Sequence, residues 1–201
     1  MLVSPPATIE IIPALFEQDV PDNIDQTLTL EIEMATLDMF TLTVPVFSRA
    51  LNNLLHILQK AQAHVEAKQL DPAALIQFRL FPDMFPLARQ VQIATDMSKG
   101  CVARLAGVEI PGYADNETTF ADLIARVEKT LAFIASITPA QLADTADKEI
   151  VLPLRVRTLT FSGLVYVQSF AIPNLYFHIT TSYNILRHNG VELGKMDFLG
   201  Q

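Results

Sequence analysis

The feature that most constrains this chain is a set of four long segments in which apolar residues recur at steps of three and four. Phe47, Leu51, Leu54, Leu58, Ala61 and Val65 set that rhythm in the first, which predicts a helix from about Val46 to Lys68. A second keeps Leu87, Val91, Ala94, Ser98, Cys101 and Leu105 on one side and stops at Gly107. A third begins at Thr118 or Thr119 and aligns Phe120, Ile124, Val127, Leu131 and Ile134. The fourth opens at Pro173, carries Leu175, Ile179, Ser182 and Leu186, and ends at Gly190. A helix with one apolar stripe must bury it against another. The pattern therefore predicts a mainly α fold, an antiparallel four-helix bundle.

Shorter elements fill the connections. Asp71-Pro72 caps and starts a short helix through Gln77, and Thr138-Pro139 starts another, with Gln141 placed for a capping box. Arg79–Pro86 reads as a rigid loop in which Asp83 caps the second long helix. Residues 149–161 read as one or two short strands interrupted at Pro153, and Ser162 as the cap of a short helix to Phe170. Residues 1–35 form an acidic N-terminal extension, because Pro5, Pro6, Pro13 and Pro21 forbid a continuous helix. Within it Leu28, Leu30, Ile32 and Met34 alternate, which predicts a strand near 27–34. That minor β element pairs either with 150–161 or with a second subunit. Residues 36–201 are the bundle domain.

Charge and cysteine content narrow the function classes. All eight acids of residues 1–48 precede the first basic residue, Arg49, and account for the net charge of −8. The rest is neutral and shows no basic stripe for phosphates, which argues against nucleic acid as a partner. Cys101 is the single cysteine, it lies in an apolar stripe, and it reads as packing. With no internal disulfide and no secretory leader pattern at the N-terminus, the expected location is cytoplasmic. Thr158–Leu186 has no formally charged side chain, yet Gln168, Asn174, His178, Asn184 and Pro173 interrupt it. That polar load fits a buried element of a soluble fold and not a membrane span.

Walker A, GxGxxG, GxSxG and HExxH patterns are absent, so the histidines are the next candidates. His56 and His64 lie off the stripe of the first helix and read as solvated. His188 sits beside Arg187 in a last helical turn, where a cation complements the helix dipole. His178 differs, because it flanks the stripe of the fourth helix, with Asn174 one turn before it and Thr181 one turn after. Two readings stay open there. His178 is a core histidine satisfied by Asn174, Thr181 or a glutamine of the second helix, or it is a metal ligand with a neighbour at i−4. Gln90 borders the apolar stripe of that second helix, and Gln92 sits further round.

The run Arg79-Leu80-Phe81-Pro82-Asp83-Met84-Phe85-Pro86-Leu87-Ala88-Arg89-Gln90-Val91-Gln92-Ile93-Ala94 resembles the hallmark of an uncharacterised bacterial domain-of-unknown-function family in the DinB/YfiT-like clan. Pro173–His178, Leu186–Val191, Gly194-Lys195 and Asp197–Gly200 are similar to that family's ending, and the resemblance spans about Met34–Gly200. It implies a DinB-like four-helix bundle, often a homodimer. In better-known members it implies a divalent metal such as Zn or Ni held by three histidines, one on the second helix and two in an HxxxH pair, serving thiol-dependent transferases or isomerases. By position, Asn174 and His178 take the HxxxH pair, and Gln92, in preference to Gln90, takes the second-helix histidine. Two of three ligands are thus carboxamides. The resulting expectation is a protein without metal or other cofactor, whose cluster of His178, Asn174, Gln92, Gln90 and Thr181 holds a small-molecule ligand or orders the core of a homodimer. The alternative is a divalent-metal-dependent transferase or isomerase in which His178 is the surviving ligand.

Overall fold

Pro45 fits the first turn of a helix, where its fixed φ is helical and its missing N–H has no partner to lose. The first long helix, α1, accordingly runs Val44–Lys68, starting two residues before the apolar pattern alone indicates. The computed structural model describes residues 38–153 and 156–200. The strand expected near 27–34 and the acidic extension over 1–35 lie outside the described residues.

Asp71 caps α2 (Pro72–Ile76) by accepting the Ala73 N–H at 2.9 Å. Helix α3 spans Leu87–Ala106 and ends at Gly107, whose φ of +71° is the left-handed conformation that favours glycine. Asp83 does not cap α3: Pro86 occupies the cap position, and no side chain bonds the first turn there. The loop is stiffened from within, by Arg79 donating to the Pro82 carbonyl at 3.3 Å and by a turn from Phe81 to Met84. Helix α4 (Phe120–Ala135) opens with a reciprocal capping box between Thr119 and Asp122. The short α5 (Pro139–Leu142) has Gln141 Oε1 accepting the Thr138 N–H at 2.8 Å.

Strands β1 (Glu149–Pro153) and β2 (Thr158–Ser162) pair antiparallel, Glu149 opposite Ser162 and Pro153 opposite Thr158. Proline stands at the strand end, where it removes no interior ladder bond. Gly163 follows at once, because a Cβ there would lie 2.0 Å from the Thr145 carbonyl oxygen. The chain then continues without a break through α6 (Gly163–Tyr166), a π-helical turn (Val167–Ala171) and α7 (Ile172–His188). The expected separate helix ending at Phe170 is therefore the first part of the fourth long helix. Pro173 leaves the Ser169 carbonyl without its regular i+4 donor, and the wider π turn lies just ahead of it, with Ile172 N–H bonded to Val167.

Helices α1, α3, α4 and the α6–α7 segment form the bundle, with α1 against α4, α3 against both α4 and α7, and α1 against α7. Leu51, Leu54, Leu58, Leu87, Val91, Leu105, Leu123, Ile134, Leu175 and Leu186 meet in its core with no more than traces of exposure. A last short helix, α8 (Lys195–Leu199), lies along α1. Arg49, Asn53, His56 and Lys60 form one polar row on α1 that holds it. Arg49 and Asn53 donate to the carbonyls of Leu199 and Phe198, and His56 and Lys60 meet Asp197 Oδ1 at 3.0 and 2.9 Å. His56, expected to be merely solvated, is part of this clamp. No described helix is long and apolar enough to cross a membrane.

Candidate functional site

Gln90 and Gln92 are two residues apart on α3, about 200° around the helix axis, so they cannot both face α7. The structure gives α7 to Gln90. Its Oε1 lies 2.7 Å from His178 Nδ1, and its Nε2 donates to the Phe85 carbonyl at 3.0 Å. The glutamine that bonds His178 is therefore Gln90 and not Gln92, in keeping with its place at the border of the α3 apolar stripe.

The remaining members of the expected cluster bond elsewhere. Asn174 donates to the Phe170 carbonyl at 2.7 Å, against the disturbed ladder before Pro173. Thr181 donates to its own i−4 carbonyl, Phe177, at 2.7 Å, and Ser182 to that of His178 at 2.9 Å. His178 is 8% exposed. Its burial, reinforced by the Arg89 cation, pushes its pKa below the usual imidazole value, so the ring is neutral at pH 7. His188 is exposed at the end of α7, its ring 5.8 Å from that of Phe78.

Gln92 belongs to a second, charged centre between α3, α4 and the loop 108–119. Its Nε2 donates to Glu117 at 2.8 Å, and its Oε1 accepts from Arg89 at 3.1 Å. At the middle is Arg126, 4% exposed. Its Nε donates to Thr95 at 2.8 Å, Nη1 meets Glu117 at 2.8 Å and Asp115 at 3.0 Å, and Nη2 meets Asp96 at 2.8 Å and the Gln92 carbonyl at 3.4 Å. Every nitrogen of the guanidinium is thereby engaged. Burial alone would lower its pKa, but Glu117, Asp96 and Asp115 outweigh burial and raise it. Lys99 pairs with Asp96 and lies 4.2 Å from the Tyr113 ring, which Lys129 and Arg126 also flank at 4.5 and 5.0 Å. A cavity of about 550 Å³ opens beside this centre, lined by Tyr113, Asn116, Glu117, Arg126 and Lys129.

The sequence reading missed this centre. Its signal is weak: the buried face of α4 is Phe120, Leu123, Val127, Thr130 and Ile134, rotated from the expected stripe, and this rotation brings Arg126 onto the edge of the core. Cys101 is buried, as expected, and burial pushes its thiol pKa far up, away from thiolate chemistry.

The donors do not fit the metal shell that the resemblance implies. One imidazole remains, and the carboxamides at the other two positions, poor ligands for zinc-like ions, bond Phe170 and Glu117. Among the described residues no three His, Cys, Asp or Glu side chains converge as a metal site.

A domain-family model described as a domain of unknown function, DUF1993, matches residues 39–199. The crystal structure of a DinB family member protein from Shewanella denitrificans is similar at 45% sequence identity and a TM-score of 0.76, covering 81% of this chain and 92% of that one. No curated protein matches the chain. The match over 39–199 and the likeness of fold agree: the chain belongs to the DUF1993 family of DinB-like helical bundles.

Proposed function

We propose that this protein is a metal-independent member of its family, a small-ligand-binding homodimer and not a divalent-metal-dependent transferase or isomerase. One observation carries the reading: His178 is the sole imidazole at the expected metal position, and the residues beside and opposite it, Asn174 on its own helix and Gln90 at 2.7 Å, are carboxamides. Carboxamides are poor ligands for zinc-like ions, and the Asn174 and Gln92 amides already have partners within the chain. Homodimerisation is supported by exposed apolar side chains on α7 and α8. Tyr176, Met196 and Leu199 are 39%, 59% and 41% exposed, and Tyr176 and Phe198 rings lie 6.4 Å apart, joining the two helices' faces.

Elemental analysis of protein purified without chelator tests the central claim. The expected result is no stoichiometric divalent metal and an unchanged melting temperature in chelator. One equivalent of Zn or Ni per chain, lost in His178→Ala, would overturn it in favour of the metal-dependent enzyme. The dimer is tested by solution mass: Met196→Glu with Leu199→Glu should halve it, and an unchanged mass would move the interface elsewhere.

A further inference from the structure

We infer that His178 Nε2 is the hydrogen-bond acceptor of a ligand site for a neutral, planar, phenol-like molecule, which packs on the exposed ring of Phe177. This rests on the metal-independent reading and names the ligand class for it.

The argument begins at a group with no choice of role. The Phe85 carbonyl can only accept, so the group 3.0 Å from it must be the NH₂ of Gln90. The orientation of that amide is thereby fixed, and its oxygen faces His178 Nδ1 at 2.7 Å. An amide oxygen also only accepts, so Nδ1 carries the proton. In a neutral ring the lone pair is then on Nε2. No hydrogen bond reaches Nε2 among the described residues, and no buried side-chain nitrogen or oxygen there lacks a partner, so Nε2 is open to solvent. The relay from Phe85 through Gln90 to His178 thus ends in a pre-oriented acceptor.

Its surroundings set the rest of the ligand's chemistry. Phe177 stands edge-on to the His178 ring, at 90° with centroids 5.2 Å apart, and is 59% exposed. An exposed phenylalanine ring beside one buried imidazole offers a face to a flat apolar body. Arg89, the cation that acts on His178, is already paired with Asp115 at 2.6 Å and bonded to Gln92. No unpaired charge is thereby left at the site, which favours a neutral ligand. A molecule that can only accept would leave Nε2 unpaired, so the site selects for an O–H or N–H donor. The cavity beside Arg126 is a weaker candidate, because the guanidinium that lines it already meets Thr95, Glu117 and Asp96 within the chain.

The test uses phenol and its methyl ether, anisole, as probes on the isotope-labelled full-length protein. The ring ¹⁵N pattern of His178 should report the Nδ1–H tautomer. Phenol should shift the His178 and Phe177 ring signals saturably, with anisole at least tenfold weaker. Gln90→Leu should mix the tautomers and abolish the preference for phenol. Phe177→Ala, a surface change that leaves the core untouched, should weaken phenol several-fold, and it keeps the test open if the Gln90 variant does not fold. An Nε2–H tautomer, equal binding of anisole, or unchanged phenol binding in Phe177→Ala would each overturn the proposal. Stoichiometric Zn or Ni at His178 would instead overturn the reading beneath it. Failure of phenol in protein shown to be metal-free strikes the ligand class alone.

Discussion

Helix α3 carries two buried polar centres on different sides, and they are built by opposite rules. Toward α4, the buried Arg126 gathers the nearly buried Glu117 and the more exposed Asp96 and Asp115, so a buried full charge depends on its carboxylates. Toward α7, Gln90 and His178 form a neutral pair in which burial keeps the imidazole uncharged. The first centre engages every nitrogen of its guanidinium and fastens the loop 108–119 to two helices. The second leaves one ring nitrogen open. A saturated network holds a fold in place, and an unsaturated one is where chemistry with another molecule can begin.

Breaking each centre should separate them by size. Arg126→Met strands the nearly buried Glu117 and the buried partners of the guanidinium and should cost about 3 kcal/mol in chemical denaturation, the largest effect of the set. A loss under about 1 kcal/mol would show that the carboxylates are effectively solvated. Gln90→Leu leaves the His178 Nδ1–H and the Phe85 carbonyl without partners and should cost about 2 kcal/mol. Because the pair is neutral, Gln90→Leu combined with His178→Phe should be less destabilised than the two singles added together, as a double-mutant cycle would register.

Two smaller effects sharpen the contrast at the surface. Asp197→Asn in the α8 clamp should cost about 1 kcal/mol near neutral pH. The Asp197 carboxyl is held at about 2 by the Gly194 N–H, with Lys60 and His56 adding to it against a partial burial penalty. A lowered carboxyl pKa stabilises the fold above the ordinary value of 3.8 and loses that contribution as pH falls through about 2. The gap between wild type and Asp197→Asn should therefore close across that acidic window, and a constant gap would assign the effect to packing. Smallest is Arg89→Ala. Its pair with Asp115 is exposed on both sides, and it should cost about 0.5 kcal/mol and weaken further with salt.

The four long helices were legible because their apolar steps are a direct print of burial, and Gly107 and the Thr119–Asp122 box mark ends by local chemistry. Two short strands match the reading of 149–161 as strands broken at Pro153. That Gln90 borders the apolar stripe was legible, but its bond to the Phe85 carbonyl was not, since spacing along a helix carries no record of where a loop carbonyl sits. Arg126 was hidden for a related reason. Its partners Thr95 and Asp96 are about thirty residues away on another helix, and the face of α4 is turned from the one its strongest hydrophobics indicate. Asp83 misled in the other direction: a capping residue type stood near a helix start, but proline took the cap position.

The π turn at Val167–Ala171 has a consequence for how this helix could be altered. A π turn holds the equivalent of one extra residue, so it acts as a phase shifter for everything after it, by about 100°. Removing a single residue there would restore a regular helix. Either Tyr166 and Val167 would then swing out of the core, or His178 would swing away from Gln90. The pairing of α7 with α3 thus depends on the number of residues in one turn as well as on their kinds, and a one-residue deletion in that turn is a far more severe lesion than most substitutions in it.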